Sequence, residues 1–201
     1  MEPFNLARQF ASLDHVSAGR IGWNIVTTWS VPAARNFGDN NQVSHADRYI
    51  RAEEYVNVTK ALWDSWSDDA VIDNRASGLY ARAEGIRPID HMGDYYQVAG
   101  PLNVPRCPQG RPVLVQAGSS EVGREFAARH AEAVFTAHLE MGTAVDFYKD
   151  LKSRAKAQGR DPDGVVICLA SVQSLPELRP KPKKLLKSLT NSPMSRLDAS
   201  V

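Results

Sequence analysis

Short apolar runs alternate with amphipathic segments along the second half of the chain. The runs predict strands over residues 112–117, 133–137 and 165–169, and the segments between them predict helices over 121–131 and 143–158. Strands that alternate with helices in this way are typical of a parallel sheet whose strands are connected through helices. The pattern therefore predicts an α/β protein.

The first half of the chain contains one predicted strand between two predicted helices. Apolar positions on one helix face predict a helix over 3–15, and an apolar run predicts a strand over 21–27. The longest predicted helix begins after Ser44, which is spaced from Asp47 as in a capping box. Its apolar positions are three or four residues apart: Tyr49, Ala52, Val56, Thr59, Trp63 and Trp66. We expect a loop over residues 29–43.

The composition is that of an ordinary globular protein, with 43% hydrophobic and 23% charged residues in a chain of 201. A formal net charge of +1 gives no electrostatic reason to expect nucleic acid or a membrane surface as a partner. The two cysteines, Cys107 and Cys168, form no paired motif, so we expect no disulfide framework. The first residues lack the pattern of a secretory signal, and we expect a cytoplasmic protein.

Charge and composition change near residue 170. Residues 171–201 carry six Lys or Arg against two acidic residues, and proline, lysine and serine are frequent there. Segments of that composition bury too little apolar surface to fold by themselves. We therefore expect one domain over residues 1–170 and a basic, largely disordered tail over residues 171–201.

A strand that turns directly into a helix is the first candidate for a ligand site. Gly118 permits a tight turn, and Ser119 and Ser120 then place two hydroxyl groups beside the unpaired N–H groups of the predicted helix. Such a helix start attracts a phosphate, because its free donors and its dipole favour an anion. Capping of the helix by one serine explains the same residues, and the sequence leaves both interpretations open.

Other polar residues lie at the ends of predicted elements. His45 and Tyr49 are one turn apart and share a helix face, although surface or packing residues can have the same spacing. Asn24 lies near the end of its strand, where parallel β/α proteins bind ligands, although a structural amide would also fit. The chain contains no HExxH motif, GxSxG elbow, P-loop or GxGxxG fingerprint, and we expect no metal site.

Two longer segments are more specific than these single positions. Residues 17–28 read SAGRIGWNIVTT and residues 33–38 read AARNFG, and both precede His45 and Tyr49. Together they resemble the flavin-dependent monooxygenases of the bacterial-luciferase superfamily, in the branch that acts on nitrilotriacetate, EDTA and dibenzothiophene sulfone. The resemblance extends over about residues 2–169. It implies an internal fragment of a (β/α)8 TIM barrel that lacks amino-terminal and carboxyl-terminal barrel elements.

The resemblance also implies a chemistry. Enzymes of this branch use dioxygen and reduced FMN (FMNH2), which a separate NAD(P)H:flavin reductase supplies, to oxygenate a small organic substrate through a peroxyflavin. Relatives commonly form homo-oligomers. By resemblance, the cofactor-binding residues are those at the matching positions: Asn24, His45, Tyr49, Ser119 and Ser120. No catalytic residue is assigned in this way.

Two alternatives to an active monooxygenase remain open. A truncated, catalytically inactive remnant would bind flavin or phosphate weakly, or would associate with a full-length relative. A different barrel enzyme with a sugar-phosphate substrate would explain the turn at Gly118, but it would leave Asn24, His45 and Tyr49 unexplained.

Overall fold

A four-stranded parallel sheet is the centre of the fold in the computed structural model, which describes residues 2–27, 30–36, 43–138 and 140–170. The helices are α1 (Pro3–Ser17), α2 (Val31–Arg35), α3 (His45–Trp63), α4 (Glu121–His130) and α5 (Met141–Ala157). The strands are β1 (Gly22–Ile25), β2 (Val71–Asn74), β3 (Leu79–Ala81), β4 (His91–Met92), β5 (Gln97–Val98), β6 (Val113–Gln116), β7 (Ala133–Ala137) and β8 (Val166–Ala170). The sheet has the order β1-β6-β7-β8, and the predicted α/β fold with parallel strands is confirmed.

Helices connect the neighbouring strands of this sheet. α4 runs between β6 and β7, and α5 runs between β7 and β8, as the alternating pattern predicts. A longer segment joins β1 to β6 and contains α2, α3 and two small antiparallel hairpins, β2–β3 and β4–β5. Because all four strands are parallel, their carboxyl ends lie at one edge of the sheet.

The two faces of the sheet differ in what covers them. Trp23 and Ile25 of β1 and Val134 of β7 point toward the helices and are buried. On the opposite face, Phe135 is 48% exposed and Val166 is 58% exposed. A closed (β/α)8 barrel packs this second face into its interior. The sheet therefore has the form of a barrel section with an open inner face.

A cluster of aromatic rings packs α1 and α3 onto β1. The Trp23 ring centre lies 6.1 Å from that of Phe10 and 6.0 Å from those of Tyr55 and Trp63. The Trp63 indole N–H donates a hydrogen bond to the Ala7 carbonyl at 3.0 Å, which gives this buried donor the partner it needs. The cluster fixes the position of α3, and with it the residues at the start of α3, relative to the sheet.

α3 is shorter than its apolar spacing predicts. The spacing extends the helix to Trp66, but α3 ends at Trp63. The Asp64 carboxylate accepts a hydrogen bond from Arg111 at 2.8 Å, and the Trp66 indole N–H donates to the Leu102 carbonyl at 2.7 Å. These contacts with the segment between β5 and β6 replace the next helical turn.

Two predictions concern residues outside the described ranges. α2 occupies part of the predicted loop over 29–43, but Trp29 and residues 37–42 lie outside the described ranges. The predicted tail over residues 171–201 also lies outside them and stays a prediction. Within the described ranges, no helix is long and apolar enough to cross a membrane.

Candidate functional site

The turn from β6 into α4 lies at the carboxyl edge of the sheet and is built on Gly118. The Gly118 N–H donates a hydrogen bond to the side-chain oxygen of Gln116, Oε1, at 2.6 Å. A Cβ atom on Gly118 would collide with Gln116 Nε2 and would lie 3.1 Å from Tyr49 Oη. Glycine at this position therefore allows two side chains to approach the turn closely.

Ser120 is the N-cap residue of α4. Its Oγ accepts a hydrogen bond from the Gly123 N–H at 3.1 Å, so the predicted capping role is confirmed. Ser119 and Ser120 are both exposed. The N–H groups of the first helical turn have no acceptor inside the helix, and the cap uses only one of them. Capping therefore leaves donors at this helix start for a ligand.

Tyr49 lies under this turn. Its side chain is only 8% exposed, and its ring packs edge-on against Phe126 with ring centres 5.4 Å apart. A Cβ atom on Gly123 would lie 3.0 Å from Tyr49 Oη and 3.0 Å from Ser120 Oγ, so both hydroxyl groups face one point. Within the described part of the chain, Tyr49 Oη makes no hydrogen bond. Among the described residues, the buried side-chain atoms without a partner do not include Oη, so this hydroxyl is accessible and free to donate to a ligand at the turn.

His45 is the first residue of α3, and its ring centre lies 5.0 Å from that of Tyr49. The helix begins as predicted, since Ser44 Oγ accepts a hydrogen bond from the Asp47 N–H at 3.1 Å. His45 is exposed and Tyr49 is buried, so their shared face runs from solvent toward α4. The structure thus brings His45, Tyr49 and Ser120 together.

Asn24 lies apart from this group. It pairs in register with Val115 of β6 and is exposed on the inner face of the sheet, whereas Tyr49 belongs to the core on the helix-covered face. Among the described residues, the Asn24 side chain has no hydrogen-bond partner. A ligand that contacts both Asn24 and Ser120 must therefore cross the carboxyl edge of the sheet.

A chain of three titratable groups joins α3 to His130 at the carboxyl end of α4, the end away from the turn, and no sequence motif predicts it. Lys60 Nζ lies 3.0 Å from His130 Nδ1, and His130 Nε2 lies 2.6 Å from Glu53 Oε1. Because an ammonium group only donates, Nδ1 is the acceptor and the N–H on Nε2 donates to Glu53. The spacing of Glu53 and Lys60 along α3 is visible in the sequence, but His130 joins them only through tertiary packing.

The pKa values at the two ends of this chain are both lowered, for different reasons. Burial by itself would raise the pKa of the Glu53 carboxyl, but the hydrogen bond from His130 and the charge of Arg129 bring it below its ordinary value. Burial lowers the pKa of the Lys60 ammonium, and the charge of Arg111 lowers it further. Glu53 is therefore held ionised, and Lys60 loses its proton more readily than a free lysine.

A cavity of about 510 Å³ opens between α3, α4 and the β4–β5 hairpin, next to Tyr49. Its lining includes Glu53, Val122, Phe126 and Arg129. Glu53 is engaged by His130 and forms an ion pair with Arg129 at 3.2 Å, so the charges of Glu53 and Arg129 offset each other on this wall. Among the described residues, no group of three or more His, Cys, Asp and Glu is placed to hold a metal ion.

A parallel sheet with its strands in chain order, covered by helices on one face and with a glycine turn at its carboxyl edge, fits a section of a (β/α)8 barrel. The family model described as luciferase-like monooxygenase matches residues 1–177. The chain belongs to this family, in which the relatives are flavin-dependent enzymes, and the resemblance seen in the sequence is confirmed.

Two relatives and one solved structure define the extent of the similarity. The chain is 49% identical over 179 residues to component A of nitrilotriacetate monooxygenase from Aminobacter aminovorans, which covers 86% of this chain and 40% of that protein. It is 41% identical over 189 residues to dibenzothiophene-sulfone monooxygenase from Rhodococcus erythropolis, with 94% and 42% covered. A riboflavin lyase, solved with modified FMN and riboflavin, matches with a TM-score of 0.80 and 39% identity over 85% of this chain and 38% of its own.

The chain thus spans about 40% of the length of these relatives. Together with the open inner face of the sheet, this share confirms the predicted partial TIM barrel. The roles of Asn24, His45, Tyr49, Ser119 and Ser120 toward a cofactor stay predictions.

Proposed function

We propose that this chain is a section of an FMNH2-dependent monooxygenase and that its β6–α4 turn holds the phosphate of the flavin. The observation that carries the proposal is the hydroxyl of Tyr49, which lies at the end of a largely buried ring, faces the first turn of α4 and has no hydrogen-bond partner among the described residues. A phosphate oxygen at the turn would accept a hydrogen bond from this hydroxyl. The N–H groups at the start of α4 would donate further bonds to it.

The residues at the turn fit the charge of a phosphate group. Because Gly118 and Gly123 carry no side chain, the Tyr49 hydroxyl can lie close to the turn. Ser119 and Ser120 are exposed, and each offers a hydroxyl donor. The positive end of the α4 dipole favours an anion over a neutral group. We assign Tyr49, Ser119 and Ser120 to the phosphate.

We assign Asn24 and His45 to the rest of the flavin. An amide offers both a donor and an acceptor, which suits the alternating polar edge of the flavin ring. Asn24 lies on the inner face near the carboxyl end of β1, and barrel enzymes place their sites at the carboxyl ends of the strands. His45 lies on the solvent side of Tyr49, where it would contact the cofactor. When bound, reduced flavin supplies the electrons that activate dioxygen, and these residues hold and orient it.

The remaining parts of the proposal concern molecules other than the cofactor. The relatives named for nitrilotriacetate and dibenzothiophene sulfone support a small organic substrate, which the chain would oxygenate with dioxygen. The name "component A" of the first relative supports a second protein, and we infer a separate NAD(P)H:flavin reductase that delivers FMNH2. Self-association into a homo-oligomer is part of the same proposal.

A second candidate function is binding of flavin without turnover. Phe135 and Val166 on the inner face of the sheet are about half exposed, whereas a closed barrel packs this face into its interior and keeps water out. Oxygenases must exclude water from a reactive intermediate. A chain that binds the phosphate at the turn, but leaves this face open, would act as a flavin-binding remnant or as a partner of a full-length relative.

An anaerobic titration of the 201-residue chain with FMNH2, followed by FMN fluorescence after air is admitted, tests the proposal. We expect saturable binding, and a dissociation constant for FMN at least about ten-fold below that for riboflavin, because riboflavin lacks the phosphate. A reductase-coupled oxygenation assay then separates the two candidates, since only an active monooxygenase gives an oxygenated product. Equal affinity for FMN and riboflavin would overturn the phosphate assignment.

A further inference from the structure

Gln116 is a buried polar residue at the base of the turn. It is the last residue of β6, its side chain points toward the helix-covered face, and it is 3% exposed. Its Oε1 accepts the hydrogen bond from the Gly118 N–H at 2.6 Å. A strand residue in the core usually carries an apolar side chain, so a glutamine at this position has a cost that the contact with Gly118 must offset.

The contact with Gly118 determines which way the Gln116 amide points. The Gly118 N–H is a donor, so the amide oxygen must face it, and the amide nitrogen Nε2 must face the other side. The Cβ direction of Gly118 leads directly to Nε2, and the same point lies 3.1 Å from Tyr49 Oη. The NH2 group of Gln116 and the hydroxyl of Tyr49 therefore converge on one place beneath the turn.

This arrangement has two consequences for an anion at the turn. The Gly118 N–H already donates its hydrogen bond to Gln116, and this bond links the turn to the end of β6. The donors that remain are the hydroxyl groups of Tyr49, Ser119 and Ser120 and the free N–H groups of α4. Because the hydrogen bond from Gly118 to Gln116 holds the turn in place, these donors are arranged before a ligand binds. Preorganised donors favour a charged group over a neutral one most strongly.

We propose that Gln116 is a positioning residue that holds the β6–α4 turn in its anion-binding form and so makes the site select a phosphorylated flavin over an unphosphorylated one. The proposal rests on the function proposed above. It adds a residue that acts through Gly118 and that need not touch the cofactor.

Amide hydrogen exchange tests the hydrogen bond between Gly118 and Gln116 without any ligand. In Gln116→Leu the acceptor is lost, and we expect exchange of the Gly118 amide to accelerate by about ten-fold, the effect of losing one buried hydrogen bond. In Gln116→Glu a carboxylate oxygen still accepts from Gly118, and we expect exchange close to that of the wild type. Equal exchange in all three proteins would overturn the positioning role.

Titrations with oxidised FMN and with riboflavin test the selectivity. We expect Gln116→Leu to weaken FMN binding by about ten-fold and riboflavin binding by less than about two-fold. Gln116→Glu keeps the turn but places a negative charge beneath it, and it should also lose FMN affinity selectively. If Gln116→Leu does not fold, Gln116→Met, which also removes the acceptor but keeps the length of the side chain, replaces it in both tests. Gln97→Glu, the same change at an exposed position on β5, is the matched control and should leave both affinities unchanged.

The outcomes separate this proposal from the function on which it rests. A wild-type chain that binds FMN no better than riboflavin overturns the phosphate assignment, whatever the hydrogen exchange shows. A wild type that prefers FMN, together with Gln116 variants that keep the same preference or lose both affinities equally, overturns only the role of Gln116.

Discussion

Tyr49 Oη on α3 lies 3.0 Å from the position that a Cβ atom on Gly123 of α4 would occupy. Ser120 Oγ lies at the same distance from that position, so the first turn of α4 is held between its own cap and a residue from a distant part of the chain. The relationship explains why a glycine occurs inside the first turn of a helix, where it is otherwise unfavourable.

Gly123→Ala tests this contact. Alanine is favoured over glycine in an exposed helix by about 1 kcal/mol, but here the methyl group would press on Tyr49 and Ser120, and we expect a net destabilisation of about 1–2 kcal/mol. Urea unfolding of both proteins measures the difference. Gly142→Ala in α5, where nothing lies within 4 Å, is the matched control and should stabilise by up to about 1 kcal/mol. A stabilised Gly123→Ala variant would contradict the contact.

Ser120→Asp separates capping from phosphate binding. Asp, Asn and Ser cap helices about equally well, so we expect the free energy of unfolding to change by less than about 0.5 kcal/mol. The added negative charge should weaken FMN binding by at least about ten-fold, because it would face the phosphate. Ser120→Asn keeps the cap without the charge but lacks the hydroxyl donor, so it should lose less FMN affinity than Ser120→Asp. Fluorescence titration measures the affinities, and unchanged affinity in Ser120→Asp would count against the assignment.

Lys60 should make stability depend on pH in the alkaline range. Its pKa in the folded chain is lowered, chiefly by burial, below the ordinary value of 10.5. Between the lowered value and 10.5 the unfolded chain binds more protons than the folded chain, so stability rises with pH across that window. Lys60→Gln keeps an N–H donor for His130 but cannot titrate, and we expect a flatter profile. Urea unfolding at a series of pH values measures it, with the exposed Lys149→Gln as control.

The two cysteines should differ sharply in reactivity. Cys107 is buried, and burial together with the charge of Asp14 raises the pKa of its thiol to about 12. Cys168 is exposed on the inner face of β8. Because the thiolate is the reactive form, a thiol reagent at mildly alkaline pH should label Cys168 first and Cys107 only after unfolding. Mass spectrometry identifies the labelled residue. Loss of fast labelling in Cys168→Ser confirms the assignment, whereas fast labelling of Cys107 would contradict the packing of its segment.

Apolar periodicity located the regular elements well. The strand predicted over 133–137 has the observed bounds, and the helix predicted over 121–131 differs by one residue at its end. The start of α3 followed from Ser44 and Asp47, since a cap depends on residues three apart. The predicted end of α3 was wrong, because the contacts that stop the helix at Trp63 come from residues beyond β5.

Part of the candidate site could also be predicted from the sequence. The residue types at Gly118, Ser119 and Ser120 indicated a capped turn, and the cap is present. The spacing of His45 and Tyr49 indicated a shared helix face, and their rings are neighbours. Those signals are local, since each depends on a few consecutive residues with a fixed geometry.

Three features of the site are decided by tertiary structure. The approach of Tyr49 to Gly123, the convergence of Gln116 and Tyr49, and the chain from Lys60 through His130 to Glu53 all join side chains from different elements. Local periodicity determines which face of a helix or strand is buried, and thereby the class of fold and the ends of its elements. Which buried faces meet depends on the strand order β1-β6-β7-β8 and on the packing of α3 against α4, and that packing is set by contacts among residues far apart in the chain.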